Sequence, residues 1–149
     1  MTKPWLSVIG IGEDGLDGLS ASARALLDAA DIVAGGERHL AMMPKKTHDL
    51  LKWPTPLEDL FDDLAKHGAA GRQVAVLATG NPMLYGVGVK LSMRFTADEM
   101  TVIPGSSAFD MACARLVWPQ AETACLTVHG RPVETVNGHL GPGARLVFA

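Results

Sequence analysis

The stretch Ala78-Thr79-Gly80-Asn81-Pro82-Met83-Leu84-Tyr85-Gly86 has residue types suited to holding a ligand through the backbone. Gly80 permits a positive φ or the close approach of another group. Pro82 fixes φ at a helix start, where its missing N–H costs nothing. The apolar run Gln73 to Leu77 before it reads as a buried parallel strand, and Met83 to Met93 after it reads as a helix. A strand that breaks at Thr-Gly-Asn-Pro before a helix sets its loop at the carboxyl edge of a sheet, where open α/β folds bind ligands. An ordinary strand-to-helix turn has the same spacing.

A second glycine loop, Gly10-Ile11-Gly12-Glu13-Asp14-Gly15, matches G-x-G-x-x-G, follows a strand, and has Asp31 about 20 residues on. That pattern spells a dinucleotide site and an NAD(P)-dependent dehydrogenase. Two physical facts oppose it. A pyrophosphate would lie beside Glu13, Asp14 and Asp17, where like charges repel. The following helix also starts near Ser20, too late to aim its positive end at that phosphate. A cationic or neutral ligand suits this acidic loop better.

The elements that must position these loops alternate between strand and helix. Leu6 to Ile9 is a strand, and Ser20 caps a helix through Ala30. A short strand at Asp31 to Val33 is turned by Gly35 and Gly36 into a helix from Glu37 to Met43. Leu57, Leu60, Phe61 and Leu64 recur at helical spacing opposite an acidic face. Met100 to Ile103 is a strand broken by Pro104-Gly105, and Ser106 or Ser107 caps a helix to about Leu116. This alternation predicts an α/β fold with a mostly parallel sheet.

Trp118-Pro119-Gln120-Ala121 interrupts the rhythm, so the expected organisation is an N-terminal α/β domain over 1–117 and a second α/β domain from 118–149. Strands are expected at Ala124 to Val128 and Arg145 to Ala149. The last reads as a core strand stopped mid-element, which leads to the expectation of a truncated second domain.

Composition narrows the class of function. A length of 149 residues, 48% of them hydrophobic, with a net charge of −3, is ordinary for a globular chain and lacks the basic excess of a nucleic-acid binder. No apolar run approaches the roughly 18 residues of a membrane helix. No signal-peptide core follows Met1, and Cys113 and Cys125 are too few for a disulfide framework or a zinc site, so the cytoplasm is the expected compartment. His39, His48, His67 and His139 lack metal-ligand spacing, and no metal is expected.

Taken in order, Val8-Ile9-Gly10-Ile11-Gly12-Glu13-Asp14-Gly15-Leu16, Thr79-Gly80-Asn81-Pro82 and Ile103-Pro104-Gly105-Ser106-Ser107-Ala108 resemble the three loops of the tetrapyrrole methylase family. Within it, Gly35-Gly36-Glu37-Arg38-His39-Leu40 and Val128-His129-Gly130-Arg131 resemble the subgroup that acts on precorrin-6Y in cobalamin synthesis. The resemblance implies S-adenosylmethionine as methyl donor, bound in a cleft between two α/β domains. The cofactor contacts it implies are Gly12, Glu13, Thr79, Gly80, Asn81, Leu84, Ser107, Ala108 and His129. It further implies Gly10 at the tetrapyrrole, a homodimer, and methylation at ring carbon 5. Methylation at carbon 15 and an acetate decarboxylation belong to a separate unit, fused or associated.

Two positions depart from the family pattern. Its motif Asp is Asn81, and the Pro often found after the second glycine is Glu13. A sulfonium methyl is already activated, so no nucleophilic side chain is required and the protein supplies binding and orientation. Loss of a proton after attack calls for a base, for which His129 is the candidate beside its simpler role as a loop histidine. The substrate's many carboxylates call for cations, and Arg38, Lys45, Lys46 and Arg131 are candidates. Another family member such as diphthine synthase, the dehydrogenase, and an inactive remnant remain as alternatives. Residues 1–149 alone are expected to bind the cofactor weakly or not at all.

Overall fold

The computed structural model describes residues 4–44 and 47–149. By compactness the chain divides into two units, Met1–Gly105 and Ser106–Ala149. The first is built on a five-stranded sheet of β1 (Leu6–Ile11), β2 (Ile32–Gly35), β3 (Asp49–Lys52), β4 (Val74–Thr79) and β5 (Met100–Ile103). The strand order is β3-β2-β4-β1-β5, and every pairing is parallel. Register is set by pairs such as Ile9 opposite Leu77 and Ile103, and Val33 opposite Ala75.

Strands buried on both faces are largely apolar, which is why Val74 to Ala78 of β4 reads as an unbroken apolar run and β1 is interrupted only by the small Ser7 and Gly10. Their side chains alternate between two cores. On one face Ile9, Ile11, Val33, Ala75 and Leu77 meet Ala23 and Leu27 of α1 (Ala21–Asp28). On the other, Leu6, Val8, Val74, Val76 and Ala78 meet two helices. These are α3 (Glu58–Ala69), through Leu60 and Leu64, and α4 (Val87–Ser92), through Val87 and Leu91. The short α2 (Glu37–Leu40) follows β2.

Several sequence expectations shift in the folded chain. Ser20 is the cap of α1, its hydroxyl accepting the Ala23 N–H at 3.2 Å. The helix expected from Met83 begins only at Val87, because 81–86 is an irregular loop. Tyr85 there takes the left-handed conformation at φ 56, and Cβ atoms on Gly86 and Gly88 would come within 2.6 and 2.7 Å of the Pro82 carbonyl oxygen. Pro82 is therefore a packed loop residue and not the first residue of a helix. The helix expected to reach Met43 ends at Leu40. Strand β3 lacks a sequence signature: it is an edge strand of mostly exposed residues held by pairing with β2.

The second unit contains α5 (Ala108–Leu116), β6 (Ala124–Leu126) and β7 (Leu146–Phe148), the two strands pairing in parallel. Ser107 and Asp110 cap α5 reciprocally: the Ser107 hydroxyl accepts the Asp110 N–H, and the Asp110 carboxylate accepts the Ser107 N–H at 2.6 Å. Those hydrogen bonds hold the Asp110 carboxyl below the usual carboxylate range. Helix α5 packs against β7 and falls in this unit, whereas the expected break lay after it at Trp118.

Candidate functional site

The connections of the sheet define where a ligand can enter the first unit. From β1 the chain leaves through α1 on one face, and from β4 it leaves through α4 on the other. Because β1 and β4 are neighbours whose following helices lie on opposite faces, the edge between them is a topological switch point, where open α/β sheets place a ligand crevice. Gly12 and Glu13 follow β1 at this crevice, and Gly80 and Asn81 follow β4.

Three glycines lock the loops together. Gly80 N–H donates to the Ile11 carbonyl at 2.8 Å, and Gly105 N–H donates to the Gly80 carbonyl at 3.0 Å. A Cβ on Gly10 would run into the Gly80 carbonyl oxygen and the Gly105 amide nitrogen, and one on Gly105 would come within 2.8 Å of the Gly10 carbonyl oxygen. Gly80 sits at φ 62, a conformation that favours glycine. Gly10, expected at the substrate, is buried within β1, where a Cβ would meet two backbones. Gly12 differs: a Cβ there would meet nothing within 4 Å, so its backbone presents an open face at the crevice.

Asn81 shapes the loop after β4. Its side-chain oxygen accepts the Met83 N–H at 3.0 Å, and its carbonyl accepts the Leu84 N–H at 3.0 Å. This Asx turn needs one acceptor oxygen, which amide and carboxylate both supply. Asn81→Asp should therefore leave thermal stability nearly unchanged, while Asn81→Ala, which strands the Met83 amide, should cost about 1–2 kcal/mol in denaturant titration.

The acidic first loop keeps Glu13, Asp14 and Asp17 exposed. Beyond it, residues 15–18 form a 3₁₀ turn and α1 begins at Ala21, so no helix end points at Gly12. Asp31 precedes β2 and accepts the Gln73 N–H at 2.8 Å. It thus lies at the amino edge of the sheet, opposite the glycine loop, whereas a ribose-binding acid belongs at the carboxyl edge. The dinucleotide reading fails on this geometry as well as on charge.

One residue with no site role expected from the sequence stands at the same edge. His39 in α2 is buried, and its Nε2 lies 3.3 Å from the hydroxyl of Thr79, the exposed last residue of β4. Burial, assisted by the neighbouring Arg38 charge, holds the His39 ring below the ordinary value of 6.5. Its position just past Gly35-Gly36, where β2 reaches the carboxyl edge, was a usable signal.

The remaining candidates are scattered. Arg38 is exposed on α2, and Lys45 and Lys46 lie outside the described residues. In the second unit, Ser107 is buried as the α5 cap and Ala108 is exposed as its first residue. His129 is exposed, its N–H donating to the Thr127 hydroxyl at 3.2 Å, and Arg131 is exposed in the same loop. His48 is tied by Nδ1 to the Ala30 carbonyl at 2.8 Å. No group of three metal-ligating side chains occurs among the described residues, and no described helix is long and apolar enough to cross a membrane.

A parallel sheet with glycine loops gathered at its switch point defines an open α/β ligand-binding protein. The chain matches the Tetrapyrrole (Corrin/Porphyrin) Methylases over residues 6–144 and belongs to that family. It is 40% identical over 149 residues to a precorrin-6Y C(5,15)-methyltransferase (decarboxylating) of Sinorhizobium sp, covering 99% of this chain and 35% of that protein. With the cobalt-precorrin-7 C(5)-methyltransferase of Salmonella typhimurium it shares 32% identity over 128 residues, 86% of this chain and 63% of that one. The chain thus spans about a third of the first relative's length and less than two thirds of the second's. The crystal structure of the methyltransferase CobJ superposes with a TM-score of 0.82 at 21% identity, covering 98% of this chain and 67% of that one, and shares the fold.

Proposed function

We propose that this protein takes part in S-adenosylmethionine-dependent C-methylation of a precorrin, at ring carbon 5, in cobalamin synthesis. The observation that carries the reading is the junction of Gly10, Gly80 and Gly105. It closes the floor of the crevice while Gly12 stays open above it, in a chain related to precorrin methyltransferases. S-adenosylmethionine, when bound, supplies a methyl already activated for attack by an electron-rich ring carbon. Backbone at Gly12, Thr79, Gly80, Asn81 and Leu84 would hold and orient it, and Glu13 favours a cation over a pyrophosphate. Ser107, Ala108 and His129 are further contacts supported by the family resemblance alone. Arg38 and Arg131 would pair with the carboxylates of the tetrapyrrole.

The name of the Sinorhizobium relative couples two methylations to a decarboxylation in a protein much longer than this chain. That supports a division of labour in which this part serves carbon 5 and a second unit, fused or associated, completes the reaction. A homodimer belongs to the same reading and rests on the family resemblance, and a cytoplasmic location rests on the composition of the chain.

An amide NMR titration tests the cofactor assignment even where binding is weak. S-adenosylhomocysteine should shift the amides of Gly12, Gly80, Asn81 and Leu84, and NADH should shift none of them. Unmoved amides at millimolar S-adenosylhomocysteine, or saturation by NADH, would overturn the proposal.

A further inference from the structure

We propose that Thr79 and His39 form a proton relay at the carboxyl edge of the sheet, carrying away the hydrogen of the ring carbon that has just been methylated. The inference rests on the methyl-transfer reading and adds the base that this reading lacks. An sp² ring carbon bearing a hydrogen becomes sp³ when it gains a methyl group, and the ring system then carries one more positive charge. Conjugation returns when the C–H bond breaks and its electron pair goes back to the ring. The proton goes to the Thr79 oxygen as the hydroxyl's own proton passes to Nε2 of His39. One O–H and one N–H bond form, one O–H and one C–H bond break, and the imidazolium later returns its proton to water. No oxidant or reductant enters.

Four observations place the relay. Thr79 ends β4, adjoins Gly80 at the crevice, and is exposed, so its hydroxyl can meet a ligand. His39 Nε2 stands 3.3 Å behind that hydroxyl. His39 is buried, and its described side-chain contact toward the carboxyl edge is with the Thr79 hydroxyl. Burial and then the Arg38 charge lower its pKa from the ordinary value, which favours the accepting form. Besides Arg38, the ionisable groups on the elements packed against α2 are the Glu37–Lys52 ion pair at 3.0 Å and Asp49 at the opening of β3. Strands β2 and β4 contribute none. His129, the base expected from the sequence, is exposed in a loop of the second unit with no such hydroxyl partner described for its ring.

His39 thus acts through Thr79 and is a positioning and relay residue, and Thr79 is the group that touches substrate. The two variants His39→Gln and Thr79→Val should each lower kcat for methyl transfer to the precorrin by about 100-fold, the lower end for lost general-base catalysis, with KM for both substrates within about twofold. Thr79→Ser, which keeps the hydroxyl, should restore at least about tenfold of the Thr79→Val loss. For the unaltered protein kcat should fall as pH drops through the His39 midpoint, because the protonated ring cannot accept, and His39→Gln should erase that limb.

A readout independent of catalysis is the NMR titration of the His39 ring protons. Its midpoint should lie below 6.5 and move in Thr79→Val, where the hydroxyl partner is gone. A His39→Gln protein that keeps kcat within threefold, or a ring midpoint indifferent to Thr79→Val, would overturn the relay while leaving methyl transfer standing. Absence of methyl transfer by the unaltered protein would overturn the methyltransferase reading and the relay with it.

Discussion

Gly10→Ala should destabilise the protein by about 3 kcal/mol or more, at or beyond the upper end for overpacking, because both colliding groups are backbone. The new methyl would occupy the space of the Gly80 carbonyl oxygen and the Gly105 amide nitrogen. A side chain can change rotamer, but here β1 would have to part from its neighbours on both sides. Gly80 N–H is also bonded to Ile11 and Gly105 N–H to Gly80, so moving one loop drags the other. Gly12→Ala is the control, since a Cβ there meets nothing within 4 Å, and it should cost well under half as much. Urea titration of the two variants checks the contrast. Equal midpoints for Gly10→Ala and the unaltered protein would show that the three loops are not fastened as described.

Leu77→Ala should cost about 2–5 kcal/mol, the range for emptying a buried leucine site. Leu77 is fully buried on β4, in the core that also holds Ile9, Ile11, Ala23 and Leu27. Its Cβ lies 3.5 Å from where a Cβ on Gly35 would stand, and that same position lies 3.4 Å from the Cβ of His39. Leu77 and His39 thus adjoin through Gly35 at the same part of the core. The His39 titration should move toward 6.5 in Leu77→Ala as water reaches the ring, since burial is the main cause of its lowered value. Calorimetric melting gives the stability loss, and NMR gives the ring midpoint.

Much of this fold was legible because a buried parallel strand has a simple signature. Val74 to Ala78 is apolar on both faces, Leu6 to Ile9 is so but for the small buried Ser7, and each is closed by glycine near the carboxyl edge. Ser20 was readable as a cap and Ser107 as one of two candidates, and both hydroxyls bond amides three residues on. Edge strand β3 was not legible, since Asp49-Leu50-Leu51-Lys52 is mostly exposed and owes its conformation to β2. Nor was the late start of α4: Met83 to Gly86 has helical spacing, but Asn81 captures the Met83 amide and Tyr85 turns left-handed.

The residue types by themselves determined that glycine loops follow β1 and β4, that the first is too acidic for a pyrophosphate, and that Asn81 retains the acceptor oxygen its turn requires. These are local properties, written in neighbouring residues. Which loops meet was decided by strand order, because β4 lies beside β1 only after the chain has passed through β2 and β3. The same order set Asp31 at the far edge from Gly12. It also brought His39 from α2 to Thr79, 40 residues away, and buried the ring there. Sequence distance carries no record of such contacts; they come from crossover connections that carry the chain over β4 before it returns to it.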